Sequence, residues 1–362
     1  MIRLKQLNDT IMDKLTVKQQ KIIEIFLIKG KMQSSQLHKE LAGAGQDTSL
    51  VTVKRTLSEL TEKGILEVSG SGRSTSYALS IKGRVLAYVD AREYVAIEPD
   101  KRYGASQYNF KLLPSFPTDI FTDEEIERLE AATKVYKKRT MDISSAIQKK
   151  ELERLVIELS WKSSKIEGNT YTLLDTERLI LENKEAPGHS KNEAQMILNH
   201  KDAFNYIHSH VAQFKTITKK NLEELHSIIV KDLNVNLGFR SRAVGITGSI
   251  YHPLDNVYQI TEAVEDLSKA VSQSETPYAK ALLALLGVSY IQPFEDGNKR
   301  TARLMTNAVL LSHSLAPLSY RSVDEEEYKS AVLVFYELNS IVPIKKIFID
   351  QYVFAAENYA VK

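Results

Sequence analysis

Residues 292–303 read Gln-Pro-Phe-Glu-Asp-Gly-Asn-Lys-Arg-Thr-Ala-Arg, and the residue types and spacing there suit phosphate chemistry. The stretch from Tyr278 to Ile291 is apolar almost all round, the pattern of a helix buried on every side. Pro293 tends to end it, and a second helix is expected from about Lys299 through Leu311. Gly297 and Asn298 then present backbone amides at a helix N-terminus, where unpaired N–H groups and the dipole favour an anion. Arg300 and Arg303, three apart, project from one face of that helix. Two guanidinium forks beside an amide nest suit a polyphosphate, and Asp296 adds the hard oxygen ligand that Mg²⁺ prefers. Each feature alone fits a solvated loop with surface ion pairs, whereas all of them together behind a buried helix fit poorly.

The bulk of the sequence bounds what can hold this loop. At 362 residues the chain exceeds one ordinary core, so two or three domains are expected. With 43% hydrophobic and 26% charged residues it reads as globular rather than disordered. The lack of cysteine excludes disulfides, thiolate nucleophiles and cysteine-held zinc, and fits a reducing cytoplasm. No signal pattern and no apolar run of about 18 residues argues for a membrane. The net charge of +2 is uneven, since residues 1–90 hold 14 basic against 9 acidic side chains and the rest is therefore negative. A mildly basic N-terminal unit on an acidic body is compatible with nucleic-acid contact.

The periodicity is mainly helical. Thr16-Val17-Lys18-Gln19 reads as a capping box for a helix with an apolar stripe through Ile22, Ile25, Phe26 and Ile28. Ser34 or Ser35 is expected to cap a second helix, Gly43, Gly45 and Asp47 to form a turn, and a third helix from about Thr48 to bury Val53, Leu57 and Leu60 before Gly64 stops it. Residues 65–68 and 76–79 alternate as two strands around the glycine-rich tip Ser69–Ser74. This order resembles a winged helix-turn-helix domain. The resemblance implies that the third helix enters the DNA major groove and the wing touches backbone. Thr52, Lys54, Arg55 and Ser58, off the buried stripe, and Arg73 at the wing tip are then the expected DNA contacts. Only three of these are cationic, so a protein-binding or dimerising module, with a second copy of the chain as partner, stays an alternative. Residues 81–120 mix short strand-like pieces with three prolines, residues 91–120 read as a connector, and the segment from Thr122 onward as helical.

The stretch from Gln292 to Arg303 also resembles the signature of Fic proteins, with Pro293, Phe294, Asp296, Gly297, Asn298, Arg300 and Arg303 in register. The pieces Leu225-His226, Gly238-Phe239-Arg240 and Val244–Pro253 are similar to the family's preceding helix and flap. The resemblance covers residues 120–362. It implies an all-helical Fic fold at residues 121–362 with a β-hairpin flap, behind a small α+β winged-helix domain at residues 1–90. It implies Mg·ATP bound by Gly297, Asn298, Lys299, Arg300 and Arg303, with the metal on Asp296. A target protein would lie along the flap at Thr247, Gly248 and Tyr251 by strand addition. Adenine contacts are expected near the flap and the helix carrying Asn307.

Ser163-Ser164-Lys165-Ile166-Glu167-Gly168-Asn169 is similar to the family's inhibitory motif. There the glutamate, here Glu167 with Ser163 and Gly168 around it, pairs with the second arginine, here Arg303, and blocks the γ-phosphate. The departure is Gln292, which stands where the family has its catalytic histidine. A neutral amide cannot take a proton near pH 7, so His252 and Glu295 are the substitutes to consider. Lys299 stands where many adenylating members have glycine and the related Doc kinase has lysine. Three activities follow: an autoinhibited protein adenylyltransferase of weakened or altered activity, a DNA-binding transcriptional regulator with a degenerate nucleotide-sensing Fic domain, or a Doc-like protein kinase.

Overall fold

The computed structural model describes residues 15–46 and 48–361; Asp47, expected in the first turn, lies outside them. Thr16 caps α1 (Val17–Lys29) through a reciprocal bond with Gln19. The expected serine cap of α2 (Ser34–Gly43) does not form. The cap position is Gln33, whose N–H bonds the Gln36 side chain at 2.8 Å, so Ser34 lies inside the first turn. Ser49 caps α3 (Leu50–Glu62), which buries Val53, Leu57 and Leu60 completely. Gly64 follows with φ +71°, a left-handed turn that costs glycine little. The wing is an antiparallel pair, β1 (Leu66–Ser69) and β2 (Ser76–Leu79), in register from Leu66 opposite Leu79 to Ser69 opposite Ser76. Met32 bonds Tyr77 in both directions and so ties the wing to the turn between α1 and α2.

The strand-like pieces expected after residue 80 are helical instead: α4 (Ile81–Val85), capped by Ser80, and α5 (Ala91–Ala96), capped by Asp90. These two serine and aspartate caps satisfy the first-turn amides, which local periodicity does not reveal. The rest of the chain is α6 (Asp123–Met141), α7 (Ser145–Ile166), α8 (Leu173–Glu182), α9 (Lys191–Ser209), α10 (Lys219–Ile229), α11 (Val257–Gln273), α12 (Pro277–Ile291), α13 (Asn298–Ser312), α14 (Glu325–Leu338) and α15 (Val342–Asn358). Every residue of α12 from Tyr278 to Ile291 except Lys280 is buried, as its all-round apolar surface requires. At Gly287 a Cβ would stand 2.2 Å from a Leu267 methyl, so α11 crosses α12 where the side chain is missing. Val334 and Leu338 of α14 share a core with α1, α2, α3, the wing and α5, while Val85 of α4 packs into the core of the helical body, which seats the N-terminal module on that body. Among the described residues no helix is long and apolar enough to cross a membrane.

The flap is the main correction. Residues 238–253 hold no strand ladder; the only pairing is an isolated parallel bridge between Gln107 and His252. Their polar groups are taken by other elements. His252 N–H bonds Ser106 O at 2.8 Å, Ile250 N–H and Ser249 Oγ reach the Glu337 carboxylate at 3.2 and 2.7 Å, and Arg240 N–H bonds Pro293 O at 2.9 Å. These bonds run to other elements and not across the segment, so its two arms do not pair as a hairpin.

Candidate anion site at the head of helix α13

Helix α12 ends on Gln292, whose backbone is left-handed at φ 51°, and the loop 293–297 turns the chain straight into α13. Three contacts fix that loop. The buried Asn298 side chain bonds both the N–H and the C=O of Phe294 at 2.8 Å, stapling the loop across four residues. Phe294 stacks on His226 of α10 with ring centroids 3.7 Å apart, and His226 Nε2 lies 3.0 Å from Asp296 O. Burial lowers the His226 pKa to about 4, outweighing the pull of Asp296, so the ring is neutral at pH 7. Arg240, also buried, donates to Gln292 O and Pro293 O from the far side.

Gly297 caps α13 at φ +78° with no side chain bonded to the first-turn amides. A Cβ there would press Val230 at 3.1 Å, so both conformation and space call for glycine. The expected cations gather around this open end. Arg300 is buried, reaching Asp296 Oδ2 at 3.2 Å, and its pKa is lowered by burial. Arg303 is wholly buried: Nε and Nη2 donate to Ser163 Oγ and O at 2.7 and 2.8 Å, and Nη2 pairs with Glu167 Oε1 at 2.8 Å. Lys299 Nζ lies 3.7 Å from the other Glu167 oxygen. Burial pushes the Glu167 carboxyl up, but Arg303 and then Lys299 pull it further down, so it is ionised. An uncapped helix end with two buried guanidinium groups can hold an anion, and in this arrangement Glu167 is the anion on Arg303.

Asp296 is the one carboxylate at this rim whose side chain is largely exposed and which also faces the anion end, at 69% exposure. Among the described residues no three His, Asp or Glu gather as a metal cage. Mg²⁺ takes one or two carboxylates and draws its other ligands from phosphates and water, and Asp296 fits that manner of binding.

Other expected residues fall elsewhere. The Gln292 side chain is buried and donates to Ser289 O at 2.6 Å, back into its own helix. Glu295 is exposed and accepts from Asn236 at 2.9 Å, while His252 is exposed on the flap with its backbone on Ser106; neither bonds Gln292. Asn307 cannot meet a base: it is sealed in the core, with both amide functions bonded to Leu318 at 2.7 and 2.9 Å. In the N-terminal module Lys54, Arg55 and Ser58 lie exposed on α3, and Arg73 sits in the turn of the wing. Thr52 is half-buried with its hydroxyl on Ser49 at 2.9 Å, and Arg55 lies 3.6 Å from Glu59. Tyr251 is buried and bonds Tyr290 O, whereas Thr247 and Gly248 are at a turn.

Residues 216–310 match the Fic/DOC family and residues 15–96 the penicillinase repressor family. Curated relatives named protein adenylyltransferase Fic are similar to the chain. That of Nematostella vectensis is 31% identical over 193 residues, half of this chain and 43% of the relative. That of Drosophila ananassae is 26% identical over 320 residues, 75% of this chain and 64% of the relative. The chain thus spans less than two thirds of either relative. Two solved structures share the fold at 21% identity: a Fic domain-containing signaling protein from Bacteroides thetaiotaomicron (TM-score 0.54, 63% of this chain and 94% of that one) and a Fic family protein from Desulfovibrio desulfuricans (TM-score 0.55, 66% and 75%). Residues 216–310, which include the loop and α13, form a Fic/DOC domain behind a winged-helix module of penicillinase-repressor type.

Proposed function

We propose that this chain binds Mg·ATP at the head of α13 and is an autoinhibited protein adenylyltransferase, acting in the cytoplasm, whose transfer step is weakened by Gln292. The observation that carries this reading is the ion pair between Arg303 and Glu167 beside the uncapped amides of α13. Gly297, Asn298 and Lys299 with Arg300 and Arg303 would hold the polyphosphate, and Asp296 would hold a Mg²⁺, which when bound would supply charge neutralisation. A target hydroxyl, on a protein lying along Thr247–Tyr251, attacks the α-phosphorus; the new O–P bond forms as pyrophosphate leaves. In-line placement and charge neutralisation survive without a base. The hydroxyl proton passes to solvent water, because Gln292 offers no titratable acceptor, and that is what slows the step.

Glu167 sits where a γ-phosphate needs the guanidinium fork of Arg303, so ATP must pay for its displacement. Glu167→Gly is expected to tighten Mg·ATP binding about tenfold or more, since one charge-assisted contact stops competing. Mg·ADP, which has no γ-phosphate, should change little. Calorimetric titration of the full chain checks this. Equal ATP affinity in both proteins would remove the inhibitory role of Glu167.

A second reading is supported by the penicillinase-repressor match at residues 15–96: a DNA-binding regulator whose Fic domain senses nucleotide. Lys54, Arg55 and Arg73, exposed on α3 and at the wing tip, are the proposed phosphate contacts, with Thr52 and Ser58 beside them. Replacing all three cations by alanine should weaken duplex DNA binding and reduce the slope of log affinity against log salt by about 3 × 0.9. A full chain that shows no salt-dependent DNA binding at all would sink this reading. Lys299 keeps γ-phosphoryl transfer in view as a third outcome, which parallel labelling with α- and γ-labelled ATP separates.

A further inference from the structure

The chain leaves Glu167 through Gly168, at φ +97°, and then runs as a short strap, Asn169–Thr172, into α8. That strap is bonded to the start of α9 by one carboxylate. Glu193 Oε1 accepts from Thr170 N–H at 2.9 Å and from Thr170 Oγ1 at 2.6 Å. Glu193 Oε2 accepts from Ser190 N–H and Oγ at 2.9 and 3.0 Å, closing the capping box of α9. The buried Asn169 side chain donates to Glu193 O at 2.9 Å, and Thr170 Oγ1 also lies 2.9 Å from His189 Nδ1. Trp161 of α7 holds the next residue through Nε1 to Tyr171 O at 3.1 Å. The Thr170 bond first, and then the backbone bonds of Ser190 and Thr170, lower the Glu193 pKa to about 2, so the carboxylate is charged at neutral pH.

Glu167 itself is less well fixed. It is the cap residue just past the end of α7, followed by a glycine in a left-handed conformation that no neighbour crowds, and its carboxylate pairs with Arg303 and Lys299. The N–H groups of Glu167, Gly168 and Asn169 close the end of α7 on Ser164 O and Lys165 O at 2.9–3.1 Å; past that turn the path of the strap is set by where it is tied, three residues beyond Glu167.

We propose that Glu193 is a positioning residue for the inhibitory glutamate: through Thr170 and Asn169 it clasps the strap to α9 and so holds Glu167 on Arg303. Loosening the clasp shifts the equilibrium toward a conformation with Arg303 uncovered, and nucleotide affinity reports that shift. The inference rests on the reading of Glu167 as the group that competes with a γ-phosphate. It adds that the strength of the competition is set some 26 residues further along the chain, by groups that touch neither arginine.

The test is titration of the full-length chain with Mg·ATP and Mg·ADP. Thr170→Val keeps the side-chain shape and the α9 cap but removes the hydroxyl bond, and Glu193→Gln weakens both halves of the clasp. Each is expected to raise ATP affinity about three- to tenfold, toward the Glu167→Gly value, through loss of hydrogen bonds to a charged group. ADP affinity should stay within about twofold, a discrimination that general loosening of the domain does not produce. Ser190→Ala, which weakens the α9 cap but leaves the strap tied, should bind both nucleotides as the parent does. Added to Glu167→Gly, Thr170→Val should change nothing further. Parent-like ATP binding by Thr170→Val and Glu193→Gln, with a clear gain in Glu167→Gly, overturns the clasp alone. No gain in Glu167→Gly overturns the inhibitory reading, and the clasp falls with it.

Discussion

Gln292→His, made in a Glu167→Gly background, is expected to raise transfer of label from α-labelled ATP to protein by about 10²–10⁴-fold, the range a positioned general base contributes. The backbone at this position is set without help from the side chain. The left-handed turn at Gln292 is held by Arg240 donating to Gln292 O and Pro293 O, and by the Asn298 staple across Phe294. An imidazole therefore enters a preformed loop. Gln292 Nε2 already donates to Ser289 O at 2.6 Å; an imidazole N–H making the same bond leaves its other nitrogen as acceptor, which fixes the working tautomer. The gain should grow with pH through about 6.5 as the neutral ring appears, while the parent protein, with no base to titrate, shows no such step. Labelling at a series of pH values, with γ-labelled ATP alongside, reads both effects. A variant that binds Mg·ATP but gains no label would mean that the pocket is shaped for something other than adenylyl transfer, and the nucleotide-sensing regulator then becomes the better account.

What the sequence made legible is what rests on local periodicity and short spacing. The buried α12, the turn at Pro293–Gly297 and the start of α13 are written in twenty-odd consecutive residues, and the α13 boundary fell one residue from expectation. The three helices and wing of the first module follow the same rule, with the first strand shifted one residue toward the wing tip from where the alternation puts it. Groups that meet across the fold are another matter. Arg240 supports the loop from 52 residues away and Glu193 ties a strap 23 residues before it; Arg240 stands in the flap-like piece and Glu193 in the capping box of α9, but neither local pattern shows the partner that the side chain meets across the fold. Asn307 looked like a polar group on the site helix, but the amide is consumed by Leu318 in a core that periodicity cannot resolve. The flap was misjudged for a related reason. The resemblance to the family's flap implies a hairpin, yet the partners of its backbone are Glu337, Ser106 and Arg102, which lie outside the segment. Strand propensity depends on what is beside the strand.

The second large effect is expected at Glu337, far from the anion site in sequence and function. Its carboxylate is fully buried and is met by Tyr94 OH of α5 at 2.7 Å, Ser249 Oγ at 2.7 Å, Ile250 N–H at 3.2 Å and Arg102 Nη1 at 3.2 Å. Arg102, nearly as buried, spends its remaining N–H groups on Ile97 O, Val95 O and Gly248 O. One ion pair thus joins the N-terminal module, the connector, the flap and α14. Burial first, and then the bond to Glu337, raise the Tyr94 pKa, so the phenol stays a donor across the accessible pH range. Glu337→Ala leaves the Arg102 guanidinium buried without a counter-charge, and removal of one partner of such a pair costs about 3–5 kcal/mol. The denaturant midpoint should fall accordingly, and hydrogen exchange at residues 247–252 should quicken before that of α12, because the flap loses its anchor while the central helix does not. Tyr94→Phe, which removes one neutral donor and no charge, should cost about 1 kcal/mol. Replacing both ions, Glu337→Leu with Arg102→Met, should be less damaging than Glu337→Ala alone, since no buried charge is then left unpaired; the recovery stays partial because three carbonyls lose the guanidinium that served them. A Glu337→Ala cost below about 1 kcal/mol, the range of solvent-exposed pairs, would mean that water reaches the carboxylate and that the flap is anchored by something else.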